Sequence, residues 1–248
     1  MDLFNSWLVH KYIAHRGLHT ETIPENSVGS ILNAIDHDYA IEIDVHPLED
    51  GTPVVFHDET LKRLTGEDGY IKKVQNVEEL KKLNLFNAKG EKTNEKIPTL
   101  EEALKIINGQ VPVVIEIKDY NLNSNFEKTI YDILKEYTGE YAIMSFNPYT
   151  LKWFKNNAPE VIRGQLSCYF KDQKLGRVKT FILKRMMLNK SVSSPHFIAY
   201  KYDEVPNKYV KKYKHLPLLC WAVPSQQEYM KVAGHCDNII FEHFEPRI

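Results

Sequence analysis

The stretch Ala40–Ile41–Glu42–Ile43–Asp44–Val45 decides how the rest of the chain is read. It reads as a short buried strand with two carboxylates pushed into it. Side chains alternate faces along a strand, so Glu42 and Asp44 point the same way. Two ionised carboxylates on one face of an apolar strand repel each other. They stay charged only with a cation between them, or one of them keeps a proton. The plainer arrangement, one carboxylate in a buried ion pair and the other in solvent, sits poorly with the flanking chain. His15-Arg16-Gly17 lies about a strand and a helix upstream, and His57 follows shortly after.

Working outward, apolar runs alternate with amphipathic stretches. Strands are expected at 12–15, 40–45, 113–118, 141–146, 161–167, 196–200, 218–223 and 238–242. Helices are expected at 26–38, capped by Asn26 or Ser27, and at 124–138, 148–157, 172–190, 205–214 and 225–233. A further helix starts at Pro98-Thr99-Leu100-Glu101-Glu102, with Thr99 and Glu102 at capping-box spacing. Residues 58 to about 97 break the rhythm: they are rich in charge and punctuated by Thr65-Gly66-Glu67-Asp68-Gly69. They are expected to form an insertion with short helices over one mouth of the fold. Eight strands, nearly all followed by a helix, point to a closed (β/α)8 TIM barrel spanning 1–248 as one domain, with a small insertion after the second strand. An open doubly wound sheet is the alternative, weakened by the absence of GxGxxG and GxxxxGK[ST] phosphate loops.

Composition narrows the function. The chain has 248 residues and a formal net charge of −1, so there is no electrostatic reason to expect a nucleic-acid partner. No apolar run reaches the length of a membrane span, and the N-terminus has neither a basic region nor an apolar core of a secretory signal. Cys168, Cys220 and Cys236 are widely spaced and form no CxxC, which suits reduced thiols in a cytoplasmic protein; an exported chain after processing would look the same.

Placed on the barrel, the unusual residues converge. His15 and Arg16 end the first strand, and Glu42 and Asp44 lie toward the end of the second. His57 ends a short extension after it, and Glu116 and Lys118 lie toward the end of the third. Barrels gather their active sites at the carboxyl ends of their strands. Glu42, Asp44 and Glu116 suit one hard divalent cation with oxygen ligands, Mg2+ or Ca2+. Arg16 and Lys118 beside such a cation suit an anionic oxygen group, most naturally phosphate. His15 and His57 supply an acid and a base near neutral pH. These are the parts that hydrolyse a phosphate ester: charge stabilised on the phosphoryl oxygens, one imidazole activating the attacking oxygen and the other protonating the leaving alkoxide.

In this order the residues resemble the glycerophosphodiester phosphodiesterases. The resemblance rests on His15-Arg16-Gly17, Pro24-Glu25-Asn26-Ser27, Glu42-Ile43-Asp44-Val45, Asp50-Gly51, His57-Asp58 and Glu116-Ile117-Lys118. Leu61, Arg63, Thr65-Gly66 and Gly69 fit the same pattern, as do Ile97-Pro98-Thr99-Leu100-Glu101-Glu102 and Ser145-Phe146. It implies a barrel with an insertion after the second strand, and metal-dependent hydrolysis of a small glycerophosphodiester to glycerol 3-phosphate and an alcohol. The family's metal ligands fall on Glu42, Asp44 and Glu116, its acid–base pair on His15 and His57, and its phosphate contact on Arg16, with Lys118 beside it. Where relatives often carry Trp-x-Val-Asn, this chain has Trp221-Ala222-Val223-Pro224, a departure that bears on which alcohol is accepted.

Two rival functions keep the same residues: a lyase that releases a cyclic phosphate, and a barrel that binds phosphodiesters without turnover. Trp221 either lines the pocket or belongs to the core. The apolar stripe around Phe181, Ile182, Leu183, Met186, Met187 and Leu188 is expected to pack on the barrel wall, and Lys201–Lys214 to be a solvated helix face.

Overall fold

The computed structural model describes residues 2–118, 125–171 and 176–247. Its fold class is a closed barrel of eight parallel strands with helices between them and one extra strand outside. The strands are β1 (Ile13–Ala14), β2 (Ala40–Pro47), β3 (Pro53–Val55), β4 (Val113–Ile117), β5 (Tyr141–Ser145), β6 (Arg163–Ser167), β7 (Phe197–Lys201), β8 (Leu218–Val223) and β9 (Asn238–Phe241). The helices are α1 (Trp7–His10), α2 (Val28–Asp36), α3 (Lys62–Thr65), α4 (Val77–Leu80), α5 (Leu100–Ile107), α6 (Phe126–Leu134), α7 (Pro148–Asn157), α8 (Arg177–Lys184) and α9 (Gln226–Val232). The chain divides into two compact units, Ala14–Tyr141 and Met1–Ile13 with Ala142–Ile248.

In the unit 14–141, β2 and β4 run parallel, with Asp44 opposite Glu116 and Glu42 opposite Val114. Both strands are buried nearly throughout, as strands covered on both faces must be, so only paired or neutralised polar groups are tolerated there. The extra strand β3 folds back antiparallel on β2, with Val45 opposite Val55. The insertion has a core of its own: Phe56, Leu61, Leu64, Ile71, Leu80 and Ile97 are buried together. It is therefore a packed segment, held by burial worth roughly 1.5–3 kcal/mol per large apolar side chain. Two helices begin with reciprocal caps. Ser27 and Ser30 cap α2, and Thr99 and Glu102 form the expected box at α5. Each pair satisfies two backbone N–H groups that the first turn leaves without intrahelical partners.

In the unit 1–13 with 142–248, β5, β6, β7, β8 and β9 pair parallel in chain order. Asn147 caps α7, with Pro148 at its first position, and Ser225 caps α9. Two expected helices are reshaped. Over 205–214 there is instead a 3-10 turn, Val210–Tyr213. Pro206 has no N–H to continue a helix, and the Asn207 side-chain oxygen takes the N–H groups of Tyr209 and Val210. Over 172–190, residues 172–175 lie outside the described set. The remainder splits into α8 and a π-helical turn, Asn189–Ser193, with Met186 at φ 50° between them. The expected helix at 124–138 is α6, Phe126–Leu134.

Candidate active site

Immediately after β1 the backbone turns sharply. Arg16 (φ 55°) and Gly17 (φ 74°) both occupy the left-handed region. A methyl group on Gly17 would lie 2.5 Å from Ser30 Oγ, so the turn needs glycine for space as well as for conformation. The turn is clamped onto β2: the Arg16 N–H donates to Glu42 Oε2 at 3.0 Å and the Gly17 N–H to the Glu42 carbonyl at 3.1 Å. The Arg16 carbonyl in turn accepts from the Asn26 N–H (2.9 Å) and Ser30 Oγ (3.0 Å). The sequence His15-Arg16-Gly17 is thus a device for delivering His15 and Arg16 to the end of β2.

There Glu42, Asp44 and Glu116 meet, all buried, each offering a carboxylate oxygen within 4.8 Å of the others. Arg16 Nε lies 3.3 Å from Asp44 Oδ2. Lys118 Nζ donates to Glu116 Oε1 at 2.8 Å and sits 3.0 Å from Asp44 Oδ1. The latter is a contact of charge, since Oδ1 takes no properly aimed hydrogen bond. Asn26 completes the setting by donating from Nδ2 to Asp44 Oδ2 at 2.9 Å and accepting the Asp44 N–H on Oδ1 at 3.3 Å. Capping of α2 falls to Ser27, which frees Asn26, at φ 53°, for this task.

Burial, reinforced by the charges of Asp44 and Glu116, pushes Glu42 well above the usual carboxylate range. Burial also raises Glu116, with Asp44 adding to it and Lys118 opposing it. Asp44 moves the other way: burial opposes its charge, but Lys118, His57, Arg16 and His15 outweigh it. Lysine and arginine therefore balance one carboxylate well and leave the other two short of positive charge. Glu42 Oε1 and Asp44 Oδ1 are buried with no hydrogen-bond partner. Three carboxylates whose oxygens lie within 4.8 Å of one another, two of them short of positive charge, fit a hard divalent cation.

His15 Nε2 is 3.9 Å from Glu42 Oε2, beside the cluster. His57 follows β3, and its Nδ1 donates to Asp58 Oδ1 at 2.7 Å. That bond places the proton of the neutral ring on Nδ1 and leaves Nε2 as the free nitrogen. Asp58 is gripped by Arg63, through Nε to Oδ2 (2.7 Å) and Nη2 to Oδ1 (2.8 Å). The same guanidinium reaches Glu25 through Nη1 to Oε2 (2.7 Å) and Nη2 to Oε1 (2.9 Å), and Glu25 Oε1 accepts from Arg16 Nη1 at 2.6 Å. A continuous chain of charge-assisted bonds therefore runs His57–Asp58–Arg63–Glu25–Arg16, and Arg16 meets Asp44 by charge alone, since its Nε makes no hydrogen bond. Burial opposes the Glu25 charge, yet Arg63 and Arg16 hold its carboxyl down at about 2. His46, buried two residues beyond Asp44, holds the His57 carbonyl at 3.0 Å through Nε2. His46 and Lys118 also line a cavity of about 590 Å3 bounded by the β2–β3 turn and by Ile71 and Phe126.

Seven of the eight residues picked from the sequence thus lie in one unit: His15, Arg16, Glu42, Asp44, His57, Glu116 and Lys118. The eighth, Trp221, belongs to the other. It is half-buried on β8, edge-on to Phe146 at 5.5 Å, and Phe146 meets Phe170 at 5.8 Å. Its Nε1 is buried without a hydrogen-bond partner. Residue-by-residue reading missed the parts played by Asn26, Asp58, Arg63 and His46. The adjacency of Asp58 to His57 and the acidic side chain of Glu25 next to Asn26 were the available signals.

Comparison with known proteins finds relatives by sequence and by fold. The model of the glycerophosphoryl diester phosphodiesterase family matches residues 15–244. A glycerophosphodiester phosphodiesterase of Caldanaerobacter subterraneus subsp. tengcongensis is 38% identical over 160 residues, 62% of this chain and 65% of that one. One from Bacillus subtilis is 28% identical over 193 residues, covering 68% and 65%. The aligned stretches thus span just under two thirds of these relatives' length. Among solved structures, an Oleispira antarctica phosphodiesterase in complex with the product sn-glycerol-3-phosphate has a TM-score of 0.79 at 26% identity, covering 94% of this chain and 93% of that one. A glycerophosphodiester phosphodiesterase from Thermotoga maritima shares the fold with a TM-score of 0.69 at 24% identity, covering 94% of each chain.

Proposed function

The chain belongs to the glycerophosphoryl diester phosphodiesterase family, and from that premise we propose that it hydrolyses glycerophosphodiesters to glycerol 3-phosphate and an alcohol, with 1–248 acting as one barrel domain and about 58–97 as its insertion. The observation that carries the reading is the meeting of three buried carboxylates, two of them with orphaned oxygens, beside an arginine, a lysine and two histidines. The product held by the Oleispira antarctica relative supports the glycerol 3-phosphate half of the substrate.

Glu42, Asp44 and Glu116 would hold one divalent cation, Mg2+ or Ca2+, which when bound supplies charge for the phosphoryl oxygens and for the attacking oxygen. Arg16 and Lys118 bind and orient the phosphodiester, Arg16 with its guanidinium already aimed by Glu25. His15 and His57 move the protons, one taking a proton from the nucleophile and one giving a proton to the leaving alkoxide. Asp58 keeps His57 in one tautomer, so that Nε2 is the working nitrogen. Arg63 touches no reacting atom in this scheme; it positions Asp58 and Glu25 together. The substrates are deacylated phospholipids such as glycerophosphocholine or glycerophosphoethanolamine, handled in the cytoplasm, where the three free thiols would stay reduced.

The test is turnover across a panel of glycerophosphodiesters with chelator, Mg2+ or Ca2+, followed by phosphorus NMR. Glycerol 3-phosphate formed only with metal, and lost in both His15→Ala and His57→Ala, is the expected result. Full activity in chelator, a cyclic phosphate as the final product, or binding without turnover would each overturn it.

A further inference from the structure

Helix α8 differs from the other long helices in having no buried residue. Val178 (74% exposed), Phe181 (43%) and, just beyond, Met187 (54%) present apolar surface to solvent, while Met186 is buried and Ile182, Leu183 and Leu188 are half-buried, so only part of the expected stripe is covered. The π-helical turn Asn189–Ser193 packs on α7 instead, with Asn189 and Ser193 buried. Yet α8 is rooted at its carboxyl end. The carbonyls of Leu183, Lys184 and Met186 accept the hydroxyls of Ser167 (3.0 Å), Tyr200 (3.1 Å) and Tyr213 (2.8 Å). It is a held projection rather than a frayed end.

Its charge is one-sided. From Gly176 to Tyr202 there is no acidic residue, although acids and bases are balanced over the chain, 33 against 32. Among the described residues, Arg177, Lys179, Lys184 and Lys190 make no ion pair. Arg185 lies over the Phe181 ring, 3.6 Å from its centroid. A nucleic acid would match the cations but leave Val178, Phe181 and Met187 with nothing to bury them. A second copy of the chain would bury them but bring like charges together. An anionic lipid surface answers both, since short apolar side chains enter the headgroup–acyl boundary while lysines and arginines reach the phosphates.

We propose that α8 docks the chain reversibly on the surface of an anionic phospholipid bilayer. The docking stands apart from the catalytic reading, so each can fail without the other. The test is flotation with phosphatidylcholine vesicles, with and without phosphatidylglycerol, at low and high salt. Binding is expected only with the anionic lipid, and weaker in salt. Each cation near such a surface contributes about fivefold to partitioning, so Arg177→Ser with Lys179→Ser should weaken it roughly 25-fold. Val178→Ser with Phe181→Ser should remove most of what salt leaves. Both variants should keep the wild-type circular dichroism, and the wild-type turnover of a soluble glycerophosphodiester if that activity is present. No flotation of the wild-type chain at low salt, or equal flotation of wild type and both variants, overturns the proposal. So does tight binding of a duplex oligonucleotide that ignores Phe181, or a self-association lost in the Phe181 variant without vesicle binding.

Discussion

Replacing Arg63 with alanine tests the chain of bonds behind His57. The change removes four charge-assisted bonds of 2.7–2.9 Å, two to Asp58 and two to Glu25. Taken singly such bonds are worth about 1.5–3 kcal/mol. The Arg63 side chain is 49% exposed, however, so solvent screens it and the sum does not apply. A net loss of about 1–2 kcal/mol of folding stability is the expected scale. Glu25 gives the pH signature. Arg63 and Arg16 hold its carboxyl at about 2 against the upward push of burial, below its unfolded value near 4.3. Such a carboxylate stabilises the fold above its unfolded pKa, and the contribution disappears as pH falls through the folded one. The gap between wild type and Arg63→Ala should therefore be full above about pH 4.5 and shrink toward pH 2. Urea unfolding at stepped pH measures this, and steady-state kinetics on glycerophosphocholine measures the second effect. With Asp58 released, His57 loses its fixed orientation, and kcat should fall roughly ten- to a hundredfold, the scale seen when a partner behind a working residue is removed. Arg63→Lys keeps the charge but lacks the fork, so it should recover stability more than kcat. Wild-type kcat in Arg63→Ala, or a stability gap as wide at pH 2.5 as at pH 7, would refute the reasoning.

Two further outcomes follow from the same geometry. Adding Mg2+ or Ca2+ to chelator-treated protein should raise Tm and release protons, because burial and mutual repulsion hold Glu42 and Glu116 above the usual carboxylate range until a cation arrives; calorimetry in buffers of different ionisation enthalpy reads the release, and proton uptake would contradict it. Gly17→Ala places a methyl 2.5 Å from Ser30 Oγ at a φ of +74°, so it should cost about 1–3 kcal/mol by urea unfolding and displace Arg16; a variant of unchanged stability would show that the turn relaxes freely.

Much of the site could be read from the chain because strand alternation is a local rule. Glu42 and Asp44 two apart in an apolar run must share a face, and Glu116 sits opposite Asp44 once β2 and β4 pair in parallel. The bond from Arg63 to Glu25 spans 38 positions and depends on how the insertion folds, which no periodicity encodes. Asn26 was ambiguous because its side chain suits a helix cap as well as a carboxylate, and Ser27 took the cap. Around α8 the spacing of Val178, Phe181 and Ile182 gives a helix but not the identity of what covers it. Over 205–214, the proline and the Asn207 side chain outcompeted an otherwise amphipathic pattern.

The Arg63 bridge also limits how this scaffold can be re-engineered. The segment after His57 packs around a core of its own, which makes it a natural unit to exchange between relatives. Yet Asp58 and Arg63 sit inside that segment while Glu25 and Arg16 do not, so a cut at residue 58 would import a foreign partner for a native histidine. Chimeras joined beyond Gly66 would keep the bridge whole and confine the exchange to shape.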